Sequence, residues 1–427
     1  LPGIPHPSSL KIYDLKSFPR EGPDRIVSID VLRGISVLGI LIMNIQSFSM
    51  PAAAYMNPTA YGDVTGINKW IWILSHILAS EKFISLFSLL FGAGVLIFSE
   101  KAVANGQNDA SLHYRRMGWL LLFGLAHGYL LWYGDILVTY SLCGMLLFMF
   151  RRMPPEKLVK AALGFFMVPV ALDLIFSLSM PLWPDGAVHN LIQGWKPDES
   201  VLQHDLEGYR AGWPGQMKVR VPETIFMQTG WFMAHTFWRV MAMMLLGMAL
   251  YKWKVLGAER TGGFYARMSF IGLVTGCGLS ILGVVLNFKN QWSAEFSMYI
   301  GSQFNYIGSA GVALGYTGIV MLICRSAEAA RFRALFSSVG RMAFTSYFIQ
   351  TVICTLIFYG HGLGLYGRVE RNIQLIMVAG IWIVVLIISP LWLKIFRFGP
   401  LEWLWRSLTY RERQPFLNTR SFQQEHA

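Results

Sequence analysis

The sequence predicts an all-α fold: a polytopic membrane helix bundle of about ten transmembrane helices with both termini in the cytoplasm. Three observations carry this. Hydrophobic residues make up 54% and charged residues 14% of the 427, where soluble domains carry about 25% charged. Such a chain has too little polar surface to face water on all sides. Ten apolar runs reach or approach the roughly 20 residues that cross a bilayer: 31–50, 71–98, 117–133, 135–150, 158–181, 230–251, 268–288, 302–324, 342–360 and 373–396. Of the 36 Lys and Arg, 25 fall in segments that alternation places inside, 8 in those placed outside and 3 within the runs. Cytoplasmic loops gather basic residues in this way. The same rule absorbs the formal net charge of +12, and no nucleic-acid partner is needed to explain it.

Residues 1–29 form a cytoplasmic N-terminal segment. It is polar and proline-bearing up to about Arg25, without a short apolar core, which predicts no cleavable signal peptide. The first transmembrane half covers 30–181. Its second run is over-long and interrupted by Glu81 and Lys82, which predicts a broken or interfacial first part and a deep part over 83–98. Runs three and four are short and meet at Tyr133, Gly134 and Asp135, the signature of a tight helical hairpin turning near the outer surface. Segment 182–229, rich in Trp, Pro and acids, reads as a long extracytoplasmic loop, suited equally to capping an outward cavity or resting on the interface. The second half covers 230–397. From 398 to 427 a cytoplasmic tail begins with Pro400 at a first helical turn, and Leu401, Leu404, Trp405 and Leu408 share one face of a short amphipathic helix. Cys143, Cys277, Cys324 and Cys354 lie in apolar runs without CxxC spacing and read as small core residues.

An ionisable group in hydrocarbon costs about 2.5–3.5 kcal/mol on insertion scales and marks a candidate site. Asp30 and Arg33 are three apart on one face, either a structural ion pair or a gate with Arg33 as an anion contact. His127 stands six residues before the hairpin turn, flanked by Gly124 and Gly128, and Asp135 opens the next helix. The turn folds that carboxylate back toward the imidazole, the usual general-base arrangement. A packing histidine and a helix-capping aspartate are the plainer readings. His235 and Arg239 are four apart, and Arg239 must find a carboxylate, a carbonyl or a ligand anion. His76 forms a looser cluster with Glu81 and Lys82. Asp30, His76, His235 and Arg239 are thus candidate substrate contacts, and Asn44 is a buried amide able to donate to a carbonyl oxygen. HExxH, GxSxG, P-loop and GxGxxG motifs are absent, and no His or Cys spacing calls for a metal.

The stretches RIVSIDVLRGISVLGILIMNI (25–45), FISLFSLLFGAG (83–94), AHGYLLWYGDIL (126–137), SSVGRMAFTSYFIQT (337–351) and FGPLEWLWRSLTY (398–410) resemble the YeiB family of bacterial inner-membrane proteins, whose C-terminal half carries a domain of unknown function. The resemblance implies a bundle of ten or eleven helices in the inner (plasma) membrane. The first helix also resembles that of the heparan-alpha-glucosaminide N-acetyltransferase, which places both in one transmembrane acyltransferase superfamily. By that resemblance Asp30, Arg33 and Gly34 match the helix-one motif and Asn44 matches an active-site asparagine. The catalytic histidine that follows it in the acetyltransferase has no counterpart in 45–62, a stretch without histidine.

The preferred expectation is an acyltransferase taking acyl-CoA, foremost acetyl-CoA, from the cytosol to a small-molecule acceptor that is extracytoplasmic or membrane-embedded. Its pore-like site would lie between the first four helices, in a wet cleft around the helix-three/helix-four bend. Arg33, Arg115, Arg116, Arg151 and Arg152 would hold the CoA phosphates. His127, oriented by Asp135, would deprotonate the acceptor, and Asn44 would polarise the thioester carbonyl. The lipid bilayer is the surrounding partner, and a homodimer is one assembly such a bundle allows. Two alternatives stand beside it: a transporter of a small anionic or hydrophobic metabolite using Arg33 and Arg239, which paired repeats with broken helices would mark, and a non-catalytic scaffold or sensor.

Overall fold

The computed structural model describes residues 25–418. The N-terminal segment before Arg25 and the tail beyond Asn418, both assigned to the cytoplasm from sequence, lie outside the described residues. In chain order the helices are α1 (Val27–Ser49), α2 (Ala53–Met56), α3 (Gly66–Leu78), α4 (Lys82–Ala104), α5 (Asp109–Leu130), α6 (Leu137–Leu147), α7 (Pro155–Ser179), α8 (Asp185–Trp195) and α9 (Glu199–Arg210). They continue with α10 (Trp213–Gln228), α11 (Phe237–Lys252), α12 (Gly262–Lys289), α13 (Ala294–Phe296), α14 (Ser302–Arg325), α15 (Ala330–Arg341), α16 (Ala343–Phe358), α17 (Arg371–Ile395) and α18 (Pro400–Tyr410). Among the described residues β-pairing is limited to one isolated bridge, Phe396 with Leu417. The protein is an all-α polytopic bundle.

Among the described residues seven helical stretches are long and apolar enough to cross a membrane, and the pair α15–α16, bent by 76°, makes an eighth if taken as one span. The arms of the α5–α6 hairpin fall short for reasons visible in the sequence: α5 opens on Asp109 and carries Arg115 and Arg116, and α6 has 11 residues. With those two arms, helix lies over each of the ten predicted runs, the second run being divided between α3 and α4.

Hydrogen bonds sort the helix ends into two sets. At one end Ser28 Oγ donates to Leu256 O (2.7 Å), Lys252 Nζ to Met153 O (2.7 Å), Tyr251 Oη to Glu100 Oε2 (2.7 Å) and Arg115 Nη1 to Thr409 O (2.9 Å). At the other, Asn57 Nδ2 donates to Trp195 O (3.2 Å), Trp195 Nε1 to Trp292 O (2.7 Å), Arg371 Nη1 to Asp63 O (2.6 Å) and Arg210 Nε to Tyr366 O (2.8 Å). The first set holds the loops rich in Lys and Arg, so we call it the basic end and the second the far end.

Helix α1 is buried on nearly every face, as expected of a helix hydrophobic all round. It crosses α15 where Gly34 meets Gly340: a Cβ on Gly340 would collide with the Asp30 carbonyl, and one on Gly34 with the Phe336 carbonyl. Only hydrogen fits at either position. On the outside of the bundle α12 presents Phe270 (69% exposed), Ile271, Val274 and Val285, an apolar face that water would not tolerate and lipid would.

The expected break in the second run is present, and one expectation changes. The over-long second run breaks at Ala79–Glu81, where Glu81 takes a left-handed φ of 66°, leaving α3 separate from the deeper α4. Segment 182–229 is a row of helices rather than a loop: α8, α9 and α10 pack over the far end with Tyr209 and Arg220 wholly buried. Trp195 and Tyr209 are buried packing groups of these helices, whereas Trp213 is exposed.

Candidate functional site

The α5–α6 hairpin turns as predicted. The chain leaves α5 at Leu130 and re-enters helix at Leu137, and His127 Nδ1 lies 2.9 Å from Asp135 Oδ2 with both side chains wholly buried. The contact is one of proximity, since the two atoms are not aligned as a hydrogen bond. Asp135 Oδ1 accepts from Val138 N (2.9 Å), so the carboxylate also caps α6. The close approach depends on Gly124, where a Cβ would sit 2.6 Å from Val138 N and 3.0 Å from Asp135 Oδ1.

The other imidazole nitrogen, Nε2, lies 3.0 Å from Thr351 Oγ1 on α16. Tyr347 and Phe348, also on α16, place their rings 4.8 Å from the imidazole, and Trp132 closes a further side. Two corrections follow. The site is not formed by the first four spans alone, because α16 supplies half of its wall. Nor is there a wet cleft at the bend: His127 has no exposed surface. Sequence reasoning missed Thr351, Tyr347 and Phe348. Their stretch, 337–351, stood out only as a motif, and its one charge, Arg341, lies six or more residues before them.

Asn44 is half-buried, and its amide takes no hydrogen bond from the described residues. Arg33, Ile40 and Asn44 form one partly exposed stripe of α1, and Ile35 and Ile42 form another on the opposite face. Helix α16 stands between the Asn44 stripe and His127: Gln350 Nε2 donates to Val37 O of α1 (3.2 Å), while Thr351, next in sequence, faces the imidazole.

The basic side chains assigned to phosphate lie at the basic end in three settings. Asp30 accepts from both Arg25 and Arg33, Arg33 at 3.1 Å, so the predicted pair forms. Arg116 stands between the rings of Phe98 (4.7 Å) and Trp405 (4.4 Å), without a carboxylate partner among the described residues. Arg115 donates to Thr409 O. Arg151 pairs with Asp109 (3.1 Å) and lies 3.6 Å over the Phe148 ring, while Arg152 is exposed. Arg151 is thereby spent on structure, a role its sequence neighbour concealed.

The remaining candidates gather elsewhere. Arg239 Nη1 donates to Glu81 Oε2 (2.9 Å), and Nη2 reaches Ser85 and Ser309. Lys82, fully buried, donates to His76 O (2.8 Å) and to Asn305 Oδ1. His235 stacks on Trp231 in a π-helical turn, Phe232–Thr236, and His76 stacks on Trp72. His76, His235 and Arg239 thus belong to a second polar cluster centred on Glu81, whose partners α12 and α14 the sequence did not identify. Asp30 belongs to neither cluster. Among the described residues no group of three or more His, Cys, Asp or Glu is placed to hold a metal.

Comparison with known proteins fits this layout. Residues 250–412 match a family described as a protein of unknown function (DUF418). The chain is 30% identical over 400 residues to the uncharacterized protein YeiB of Escherichia coli (strain K12), covering 93% of this chain and 100% of that protein. It is 33% identical over 411 residues to the uncharacterized protein YxaH of Bacillus subtilis (strain 168), covering 92% and 96%. A 39.9 kDa protein encoded beside an amylase in Bacillus acidopullulyticus is 27% identical over 395 residues. Identities of 30% and 33% over more than nine tenths of the chain make it a member of the YeiB family of DUF418 proteins.

Proposed function

We propose that the protein is a membrane acyltransferase that uses acyl-CoA supplied at the basic end, with His127 as general base and Asp135 as the group that orients it. The observation that carries this reading is the 2.9 Å His127–Asp135 contact between wholly buried side chains. A buried carboxylate beside Nδ1 leaves Nε2 as the nitrogen for chemistry and stabilises the imidazolium that forms. Thr351 occupies the position an acceptor hydroxyl or amine would take.

A second support is axial. Arg33 and Asn44 on α1, and Arg116 and His127 on α5, are each eleven residues apart, about 16 Å and within about 20° of three full turns. Both helices start at the basic end, so each presents an arginine at the mouth and a polar group at equal depth on one face. Phosphates at Arg33 and Arg116 would direct an acyl arm toward Asn44 and His127. In the transfer, the acceptor O–H or N–H attacks the thioester carbonyl and His127 takes its proton. The C–S bond then breaks, and the thiolate leaves with that proton. Access requires α16 to withdraw Tyr347, Phe348 and Thr351, and the 76° bend at its start offers a pivot.

The test is thioester turnover by the purified protein in a bilayer, with labelled acetyl-CoA and a panel of amine and hydroxyl acceptors. His127→Ala is expected to lower turnover about 10²–10⁴-fold with the fold retained. Acyl-CoA binding without turnover on any acceptor would overturn the reading in favour of a sensor or scaffold. One observation favours a transporter: α15–α16 is a sharply bent pair, and Ser297–Gly301 and Phe232–Thr236 are π-helical turns, the kind of interrupted helix that lines transport sites. Solute uptake into liposomes indifferent to CoA would select that reading.

A further inference from the structure

At the basic end α18 lies against α5, and the two leave a groove of about 440 Å³ lined by Arg115, Trp119, Trp403, Leu408, Arg411 and Arg413 among others. The packing is fixed by backbone acceptors: Trp405 Nε1 donates to Arg116 O (2.9 Å) and Arg115 Nη1 to Thr409 O. One acid, Glu412, stands in the lining against three arginines. Arg411 and Arg413 are exposed, and none of the three has a carboxylate within ion-pair distance among the described residues.

The groove is graded along its length. Arg115, Trp119 and Leu122 follow at i, i+4 and i+7 on one face of α5, and Leu122 is 54% exposed. The face therefore passes from guanidinium through an indole to bare aliphatic surface, and continues over Ala126 and Leu130 toward the far end. Arginine matches a phosphate diester, tryptophan sits at the headgroup level of a bilayer, and an exposed leucine row suits an acyl chain. A water-soluble phosphate would use the first part and leave the rest in contact with nothing of its own.

We propose that the α5–α18 groove is a binding site for one anionic phospholipid, its phosphate at Arg115, Arg411 and Arg413 and its chain along Trp119 and Leu122. The site stands apart from His127 and does not depend on the acyl-transfer reading.

The experiment is native mass spectrometry of the full chain released from mixed micelles of phosphatidylglycerol and phosphatidylcholine in equal amounts. Phosphatidylglycerol is expected to be retained preferentially. R411Q/R413Q should weaken its retention about tenfold or more, on the scale of one basic residue each at an anionic surface, and leave phosphatidylcholine unchanged. R411K/R413K should keep most of the preference. Equal retention of the two lipids, or an unchanged preference in R411Q/R413Q, would overturn the proposal. Displacement of phosphatidylglycerol by excess coenzyme A would overturn it too, by giving the groove to a soluble phosphate. Should R411Q/R413Q lose its thermal transition, a salt titration of the unaltered protein decides. Retention of phosphatidylglycerol must fall with ionic strength while that of phosphatidylcholine holds, and a salt-independent preference refutes the site.

Discussion

Asp135 is asked to do two things at once, and they can be separated. Oδ1 caps α6 through Val138 N, and Oδ2 faces His127. Asparagine caps a helix about as well as aspartate, whereas alanine does not. Asp135→Asn should therefore keep the thermal transition of the unaltered protein, and Asp135→Ala should lose about 0.5–2 kcal/mol. Both should cut acyl transfer, because either change removes the charge that steadies an imidazolium. A fully active Asp135→Asn would reduce the carboxylate to a cap and remove the case for a base at His127. The pairing was legible in the sequence because the turn at Tyr133-Gly134-Asp135 fixes where the two arms meet. Thr351 was not, because a hydroxyl 224 positions away becomes a partner only through tertiary packing. Nor did any local pattern distinguish Arg151, paired with Asp109, from Arg116, which stands between two rings.

Among the elements, α16 matters most, since it separates Asn44 and its neighbours on α1 from His127 and starts at a 76° bend after α15. Its N-terminus is capped from a distance. Glu402 of α18 accepts from Phe344 N (2.7 Å) and Thr345 N (3.1 Å), while its other oxygen takes the Thr345 hydroxyl (2.5 Å). Burial pushes the Glu402 carboxyl up, and the Thr345 and Phe344 donors pull it back down. These bonds satisfy amides that a bend would otherwise leave without partners in hydrocarbon, and they place a carboxylate at the positive end of the helix dipole. Glu402→Ala should lower the melting temperature in detergent and loosen α16, read as faster hydrogen exchange over 343–351. Glu402→Gln, which keeps acceptance at one oxygen, should fall between. Exchange over 343–351 unchanged in Glu402→Ala would show that α16 is held by its packing alone. Hydropathy found α16 as a run and α18 as an amphipathic helix, because each property is local. The cap that joins them is not, and neither is the 76° angle, which the uninterrupted apolar run gave no reason to expect.

For the whole molecule the governing asymmetry is charge. The loops that hydrogen bonds gather at one end are those that hold most of the Lys and Arg, while tryptophans 195 and 292 and the Asp63–Arg371 contact mark the other. Positive loops are retained on the cytoplasmic side during insertion, so the basic end should be cytoplasmic and the far end outside. Single cysteines can test this once Cys143, Cys277, Cys324 and Cys354 are replaced, two of them buried and two partly so. In intact cells a membrane-impermeant thiol reagent should label Gly186→Cys in α8 and Gln291→Cys after α12, and should leave Asn105→Cys after α4 and Arg152→Cys between α6 and α7 unlabelled until the cells are opened. All four positions are exposed or nearly so, which makes silence informative. Labelling of Asn105→Cys from outside would invert the bundle. It would put Arg33 and Arg116 on the side where no acyl-CoA is made, and acyl transfer from the cytosol would have to be abandoned whatever the geometry at His127.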